Sequence, residues 1–346
     1  MGTDRETDRP TVRAAVVGVG HLGRFHARLL AGIEGVELAA LVDPRPDIAR
    51  PLADELGVPL LASPDELPDD VRAVSVAVPT SLHHAVTCPL LERGMHVLVE
   101  KPMAATLEES EAMAALAADR GLVLHVGHIE RFNPVLTVLR EQSIAPQFIE
   151  AHRLAPFNFR TLDVSVVMDL MIHDLDIVLE LAGAPLERVE AVGSKVLAKH
   201  VDIANARLTF ENGCVANVTA SRVSFTPLRR TRVFAEDAFV SMDFAVRRAF
   251  VARLRAGFDP ASLDAAAQQA LQEAESFKAW VQQGLMDLRE IDMDASNPLL
   301  SELQAFVAAV RGDAGAEPGV PAGAGLRAMR TACEIQDLIE SRVRRA

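Results

Sequence analysis

Gly18-Val19-Gly20-His21-Leu22-Gly23 stands where a short apolar run, RAAVVGV at 13–19, gives way to the apolar-periodic stretch LGRFHARLLAG. That order reads as strand, tight turn, helix. In such a turn the first glycine permits the sharp bend and the second lets backbone approach a pyrophosphate. The third lets helix and strand pack, and the anion rests on the free N–H groups of the helix N-terminus. Asp43 ends a second apolar run, VELAALVD, 20 residues after Gly23. A carboxylate there accepts hydrogen bonds from an adenosine ribose and repels a 2′-phosphate, so NAD is expected rather than NADP. Arg45 lies close enough to soften that preference.

Short apolar strands continue to alternate with helices as far as residue 126. Residues 47–56 form a helix closed by Gly57, VRAVSVAV at 71–78 a strand ended by Pro79, and 82–93 a helix stopped by Gly94. HVLVE then runs into Lys101-Pro102, and Thr106 and Glu109 have the spacing of a capping box for a helix over 107–120. This pattern predicts a doubly wound α/β domain over 1–126. Past it, the stretch 166–183 is a strong helix, and strands follow without intervening helices at 189–197, 201–210, 214–223 and 231–243. The second domain, 127–346, is therefore expected to be α+β with a mostly antiparallel open sheet. Residues 247–285 are rich in Ala and Gln and read as helical; helices over 298–311 and 323–344 close the chain and could pack back on the first domain.

A formal charge of −13, from 35 basic and 48 acidic side chains, argues against nucleic acid as a partner. No apolar run is long enough to span a membrane, and MGTDRETDRP at the start lacks the apolar core of a signal peptide, so a cytoplasmic setting is expected. Cys88, Cys214 and Cys333 are scattered without metal-ligand spacing. The sequence contains no tyrosine, so proton transfer must fall to Lys, His or a carboxylate.

Lys101 follows a buried strand at what should be the ligand-binding end of a parallel sheet. Glu100, together with Pro79, Thr80 and His83 after the strand 71–78, is expected beside it along the cofactor, with His21 and Leu22 in the glycine turn. On the helix 167–182, Asp169, His173, Asp176 and Glu180 are spaced by four, three and four, which aligns them on one face of an otherwise apolar helix. Asp169 and His173, one turn apart, could be a base and its orienting carboxylate; equally, the four could be a solvated face. Two carboxylates and a histidine could also ligate zinc or iron, but no further Cys or His cluster accompanies them and no metal is assigned. His128, Arg131 and Asn133, in GHIERFNP, fall where the two domains meet and suit either a polar substrate or a tie between domains.

Five segments in order, VVGVGHLGRFHARLL, VAVPTSLHHAV, GMHVLVEKPMA, GHIERFNP and DLMIHDLD, resemble the glucose–fructose oxidoreductase and inositol dehydrogenase family, Gfo/Idh/MocA. The resemblance implies a Rossmann domain, NAD(P)-dependent oxidation of a CH–OH group, and Lys101, Asp169 and His173 as the residues at the reacting hydroxyl. Either Lys101 or His173 could be the formal base. The family often carries glycine between that aspartate and histidine, where this chain has Met171, which could alter how closely the helix approaches its ligands. GHIERFNP followed by MDLMIHDLDIVL looks most like the branch that oxidises the 3-hydroxyl of UDP-N-acetylglucosamine; inositol, a free sugar or another polyol, or a non-catalytic NAD-binding role, are the alternatives. Arg131, Asn158, Arg160 and Asp163 would then grip sugar or diphosphate, with Asp169 and His173 also touching substrate. Such proteins pair their open sheets, so a homodimer or homotetramer is expected.

Overall fold

A computed structural model describes residues 10–142, 144–157, 164–255, 286–293 and 296–343. They form two compact units, one running to Phe132 and resumed over Ser296–Cys333, the other Asn133–Ala295 with Glu334–Ala346. The sequence boundary at 126 thus lies a few residues before the structural one, and the C-terminal segment is shared between the units.

The first unit is a six-stranded parallel sheet. Its strands are β1 (Val12–Val17), β2 (Val36–Val42), β3 (Leu60–Leu61), β4 (Ala73–Val76), β5 (His96–Glu100) and β6 (Leu124–Gly127), in the order β3-β2-β1-β4-β5-β6. The order reverses between β1 and β4, the switch point where open parallel sheets bind ligands beyond their carboxyl ends. Helices α1 (Gly23–Ala31) and α2 (Pro46–Leu56) cover one face together with α7 (Pro298–Arg311). Leu30, Leu52 and Phe306 are buried there against Val16 and Leu41. Helices α3 (His83–Glu92) and α4 (Leu107–Asp119) cover the other, with Leu90, Leu91 and Met113 on Val74, Val97 and Val99. Truncating any one of these buried leucines to alanine costs about 2–5 kcal/mol. The Thr106–Glu109 capping box opens α4 as its spacing predicts. Beyond α7 the chain returns to the β6 edge, where Val126 N–H donates to Val320 O at 2.9 Å. Gly319 lies so close to the His125 ring that a Cβ there would collide with it.

The second unit carries an eight-stranded sheet. Its members are β7 (Phe148–Leu154), β8 (Leu186–Ser194), β9 (Ile203–Phe210), β10 (Val215–Ser221), β11 (Leu228–Phe234), β12 (Ala238–Asp243), β13 (Arg248–Leu254) and β14 (Met286–Asp292), in the order β14-β13-β12-β11-β7-β10-β9-β8. All neighbours are antiparallel except β7 and β10. Helix α5 (Thr137–Gln142) and Ile177 of α6 (Ile172–Ala182) pack on its inner face against Val233, Val240 and Val251.

Two expectations need correction. The strand read over 231–243 is a hairpin of β11 and β12, and the helical reading of 247–285 fails at its start, where Arg248–Leu254 is strand β13. Inward Ala249 and Val251 and the pairing with β12 override alanine's helical preference there. Residues 256–285 lie outside the described residues.

Candidate active site

Unit one holds a cleft of about 610 Å³ at the β1/β4 switch point. Gly18, Gly20, His21 and Leu22 form one wall, Asp43 and Arg45 a second, and Val78 and Pro79 a third. The glycine turn is constrained as the motif demands. Gly18 has φ 88°, and a Cβ on it would stand 2.7 Å from Ala77 O. A Cβ on Gly23 would collide with the Gly18 carbonyl oxygen, whereas one on Gly20 would meet nothing within 4 Å. The first and third glycines therefore fit the protein to itself, and the second leaves open space on the cleft side, which suits a pyrophosphate.

Asp43 is buried immediately after β2. Its Oδ2 accepts the Val19 N–H at 2.9 Å and its Oδ1 the Arg45 N–H at 3.0 Å, and the Arg45 guanidinium donates to both oxygens at 3.1 and 3.2 Å. Burial pushes this carboxyl up, but the Arg45 side chain and the two backbone donors outweigh it and hold it below its ordinary value. The carboxylate is thus ionised and fixed in place at neutral pH. Donors and acceptors, open space and charge all fit an adenine dinucleotide.

Thr80, His83, Glu100 and Lys101 do not line this cleft. His83 is buried, with Nδ1 2.9 Å from Pro102 O and Nε2 3.0 Å from Val78 O. Burial lowers its pKa, so the neutral ring donates one of these bonds at a time. It ties the loop after β4 to the Lys101–Pro102 turn. Lys101 is half-buried, and its N–H donates to Glu100 Oε2 at 3.3 Å. Arg131 is half-buried in the 3-10 turn Ile129–Phe132 that ends this part of the unit.

In the second unit the helix expected over 167–182 begins as a π-turn, Val167–Met171, before continuing as α6. The Ile172 N–H accordingly reaches Val167 O, five residues back. Wide turns of this kind are frequent at functional sites. Asp169 and His173, half-buried, flank the junction. The polar stripe is not a uniformly solvated face: Asp176 is buried and Glu180 exposed. Met171, where the family often has glycine, is fully buried, so its extra bulk is taken up inside the unit.

Sequence reasoning missed two buried ion pairs that hold this helix. Arg153 of β7 donates to both oxygens of Asp174 at 2.8 and 2.9 Å. Arg222 donates to Asp202 Oδ1 at 2.8 Å and to Val164 O at 2.7 Å, just before the π-turn. Burial pushes the Asp202 carboxyl up, yet the N–H groups of Ala198, Leu197 and Val196, with Arg222, bring it down to about 2. The first pair was detectable: β7 alternates inward and outward, Arg153 falls on the inward register of Ile149 and Ala151, and an inward arginine requires a buried acid. Asn133 caps the 3-10 turn at Pro134–Leu136 and donates to Phe244 O at 3.2 Å, a structural tie within the second unit. Asn158, Arg160 and Asp163 lie outside the described residues. Among the described residues no group of three or more His, Cys, Asp or Glu is placed to hold a metal ion, and no helix is long and apolar enough to cross a membrane.

Comparison with known proteins places this geometry in a family. UDP-N-acetylglucosamine 3-dehydrogenase of Acidithiobacillus ferrooxidans is 46% identical over 234 residues, 67% of this chain and 74% of the relative. A solved structure of that enzyme superposes with a TM-score of 0.82 at 36% identity, covering 95% of this chain and 97% of its own. A scyllo-inositol 2-dehydrogenase (NAD(+)) of Bacillus subtilis is 31% identical over 233 residues, 62% of this chain and 68% of the relative. Residues 12–128 match the oxidoreductase family model with an NAD-binding Rossmann fold, and residues 147–241 match the GFO/IDH/MocA C-terminal domain. The chain belongs to the GFO/IDH/MocA family of NAD-dependent oxidoreductases.

Proposed function

We propose that the chain oxidises the 3-hydroxyl of UDP-N-acetylglucosamine to the 3-keto nucleotide-sugar, using NAD in preference to NADP. The observation that carries the substrate is the likeness to the Acidithiobacillus enzyme, which extends over 95% of the chain and both units. The cofactor preference rests on the ionised Asp43 carboxylate in the cleft. The glycine turn and Asp43 would hold NAD, which when bound would supply the hydride acceptor for the substrate's C–H bond. The hydroxyl proton goes to His173 or Lys101; a cationic Lys101 stabilises the developing alkoxide, and Asp169 orients and charge-balances the base. Arg131 is the described candidate for a diphosphate contact.

Three thiols without disulfides, Cys88, Cys214 and Cys333, and an NAD cofactor accord with a cytoplasmic setting. Homo-oligomerisation is supported by the second sheet. Phe148, Phe234, Phe239 and Phe250 run across β7, β11, β12 and β13 with ring centroids 5.7, 4.9 and 6.4 Å apart, and Phe250 is 37% exposed. Light scattering on the purified chain tests this, and a monomer refutes it.

The substrate is tested by NADH formation with UDP-N-acetylglucosamine, run beside N-acetylglucosamine, scyllo-inositol and Lys101→Ala. Turnover confined to the nucleotide-sugar and lost in the variant is expected. Turnover of scyllo-inositol alone would move the assignment to the polyol dehydrogenases that the Bacillus relative represents.

A further inference from the structure

We infer that His26 is a positioning residue for Lys101, acting through the Glu100 carboxylate. His26 stands one turn into α1, three residues past Gly23, and only 1% of it is exposed. Its Nδ1 is 2.8 Å from Ser75 Oγ on β4, and its Nε2 is 3.1 Å from Glu100 Oε1 at the end of β5. Nδ1 is thus hydrogen-bonded to the Ser75 hydroxyl, while Nε2 faces the Glu100 carboxylate at ion-pair distance. The other carboxylate oxygen, Glu100 Oε2, accepts the Lys101 N–H. Space for the carboxylate is reserved by Gly127 at the end of β6, where a Cβ would lie 3.1 Å from both oxygens and their carbon.

Ser75, His26, Glu100 and the Lys101 main chain are therefore a single line of polar contacts, hydrogen bonds at either end and an ion-pair-distance contact between His26 and Glu100, running from the dinucleotide-binding helix to the turn that carries Lys101. His83 takes hold of the same turn from α3 through Pro102 O. A histidine needed only to fill the interior under α1 would be served as well by leucine, and would not be matched by a serine on one strand and a glycine two strands away. The arrangement fixes where the Lys101 backbone starts, and hence where its ammonium can reach. Neither His26 nor Ser75 lines the cleft, so NAD affinity and Lys101 chemistry are separable.

The inference rests on the proposed function only in assigning Lys101 to the reaction, so the test includes an arm that needs no substrate. In the full chain, His26→Leu, His26→Gln and Ser75→Ala are compared for kcat and KM, for the NAD dissociation constant by calorimetry, and for the rate of Lys101 labelling by trinitrobenzenesulfonate, read by mass spectrometry. A displaced reacting group costs on the order of 100-fold, so His26→Leu is expected to lower kcat by about that factor while NAD affinity holds. Its Lys101 labelling rate departs from that of the parent. Glutamine, whose amide N–H falls near the position of Nε2, restores most of both. Loss of NAD affinity in step with kcat, or equal impairment by leucine and glutamine, would overturn the inference. If the leucine variant does not fold, the glutamine and Ser75→Ala variants decide it by the same readouts: parent-like labelling in Ser75→Ala together with unrestored kcat in His26→Gln overturns it. If no variant or parent turns over UDP-N-acetylglucosamine, the substrate reading fails, and the labelling comparison still decides the role of His26.

Discussion

Asp43→Ala is expected to reverse the cofactor preference. The carboxylate is 1% exposed and already ionised, with Val19 and Arg45 holding both oxygens before any ligand arrives. A hydrogen bond to a charged acceptor contributes about 1.5–3 kcal/mol, so two ribose hydroxyls could draw at most about 3–6 kcal/mol from it. Part of that is offset, because oxygens already engaged by the Arg45 guanidinium must be shared. A net loss of about 3 kcal/mol corresponds to roughly 100-fold weaker NAD binding. The variant simultaneously releases the guanidinium of Arg45, 56% exposed at the cleft wall, and removes the charge that repels a 2′-phosphate. NADP affinity should therefore rise, and the gain should shrink at high salt because Arg45 is solvent-accessible. Calorimetric titration of NAD and NADP at low and high ionic strength measures both effects. NAD affinity that falls by less than about threefold, a change under 1 kcal/mol, would refute the role given to this carboxylate. An unchanged NADP affinity would refute the role given to Arg45.

Gly23→Ala should weaken NAD binding by roughly tenfold or more, since relieving the collision with Gly18 O opens the turn at an overpacking cost of about 1–3 kcal/mol; calorimetry and a thermal melt check it. Burial lowers His125 from 6.5 to about 4, so the unfolded chain takes up its proton first as pH falls. Stability is unaffected above about 6.5 and declines down to about 4, by roughly 3 kcal/mol at 1.4 kcal/mol per pH unit. Urea unfolding at several pH values should show this slope, reduced in His125→Gln, with part remaining because His83 and His96 are shifted the same way. Arg222→Met leaves Asp202 buried with its backbone donors but without its cation, and should cost about 3 kcal/mol in urea unfolding, as removal of one partner of a buried pair does.

The first unit was legible because each βα repeat announces itself: an apolar run, a glycine or proline, then a capped helix. The second was harder, for local reasons. The β11–β12 hairpin turns through Ala235, Glu236 and Asp237, with none of the glycine, asparagine or proline that marks most hairpins, so two strands read as one. Arg247, before β13, sits at φ 55°, a backbone state that sequence rules reserve for glycine or asparagine. Among the candidate site residues, Gly18, Gly20, Gly23 and Asp43 were legible because each answers a requirement of backbone or ligand geometry. His83 was assigned to the cleft from its position after β4. One of its two carbonyl neighbours, Pro102 O, belongs to a turn 19 residues further on, which no local pattern encodes. His26 was invisible for the same reason: its partners Ser75 and Glu100 come from two other strands.

The parallel topology explains why the first unit's candidate site residues are spaced along the chain as they are. Gly18, Asp43, Pro79 and Lys101 each follow the carboxyl end of a strand, β1, β2, β4 and β5 in turn, and the sheet order brings those ends to one edge. Such an edge carries unpaired strand-end carbonyls and N–H groups that must be satisfied. The protein uses them as fixtures: Val19 N–H for Asp43, Lys101 N–H for Glu100, Val78 O and Pro102 O for His83. The second unit meets the same demand with charge. Its helix of Asp169 and His173 is held from outside the π-turn by Arg222 on Val164 O, and from within α6 by Arg153 on Asp174. A buried guanidinium that serves a carbonyl and a carboxylate at once cannot shift without leaving one of them unpaired, at about 1–3 kcal/mol or more. The π-turn is therefore flanked by two buried guanidinium restraints, and substitutions at Arg153 or Arg222 should loosen the stretch of Asp169 and His173 before they unfold the unit.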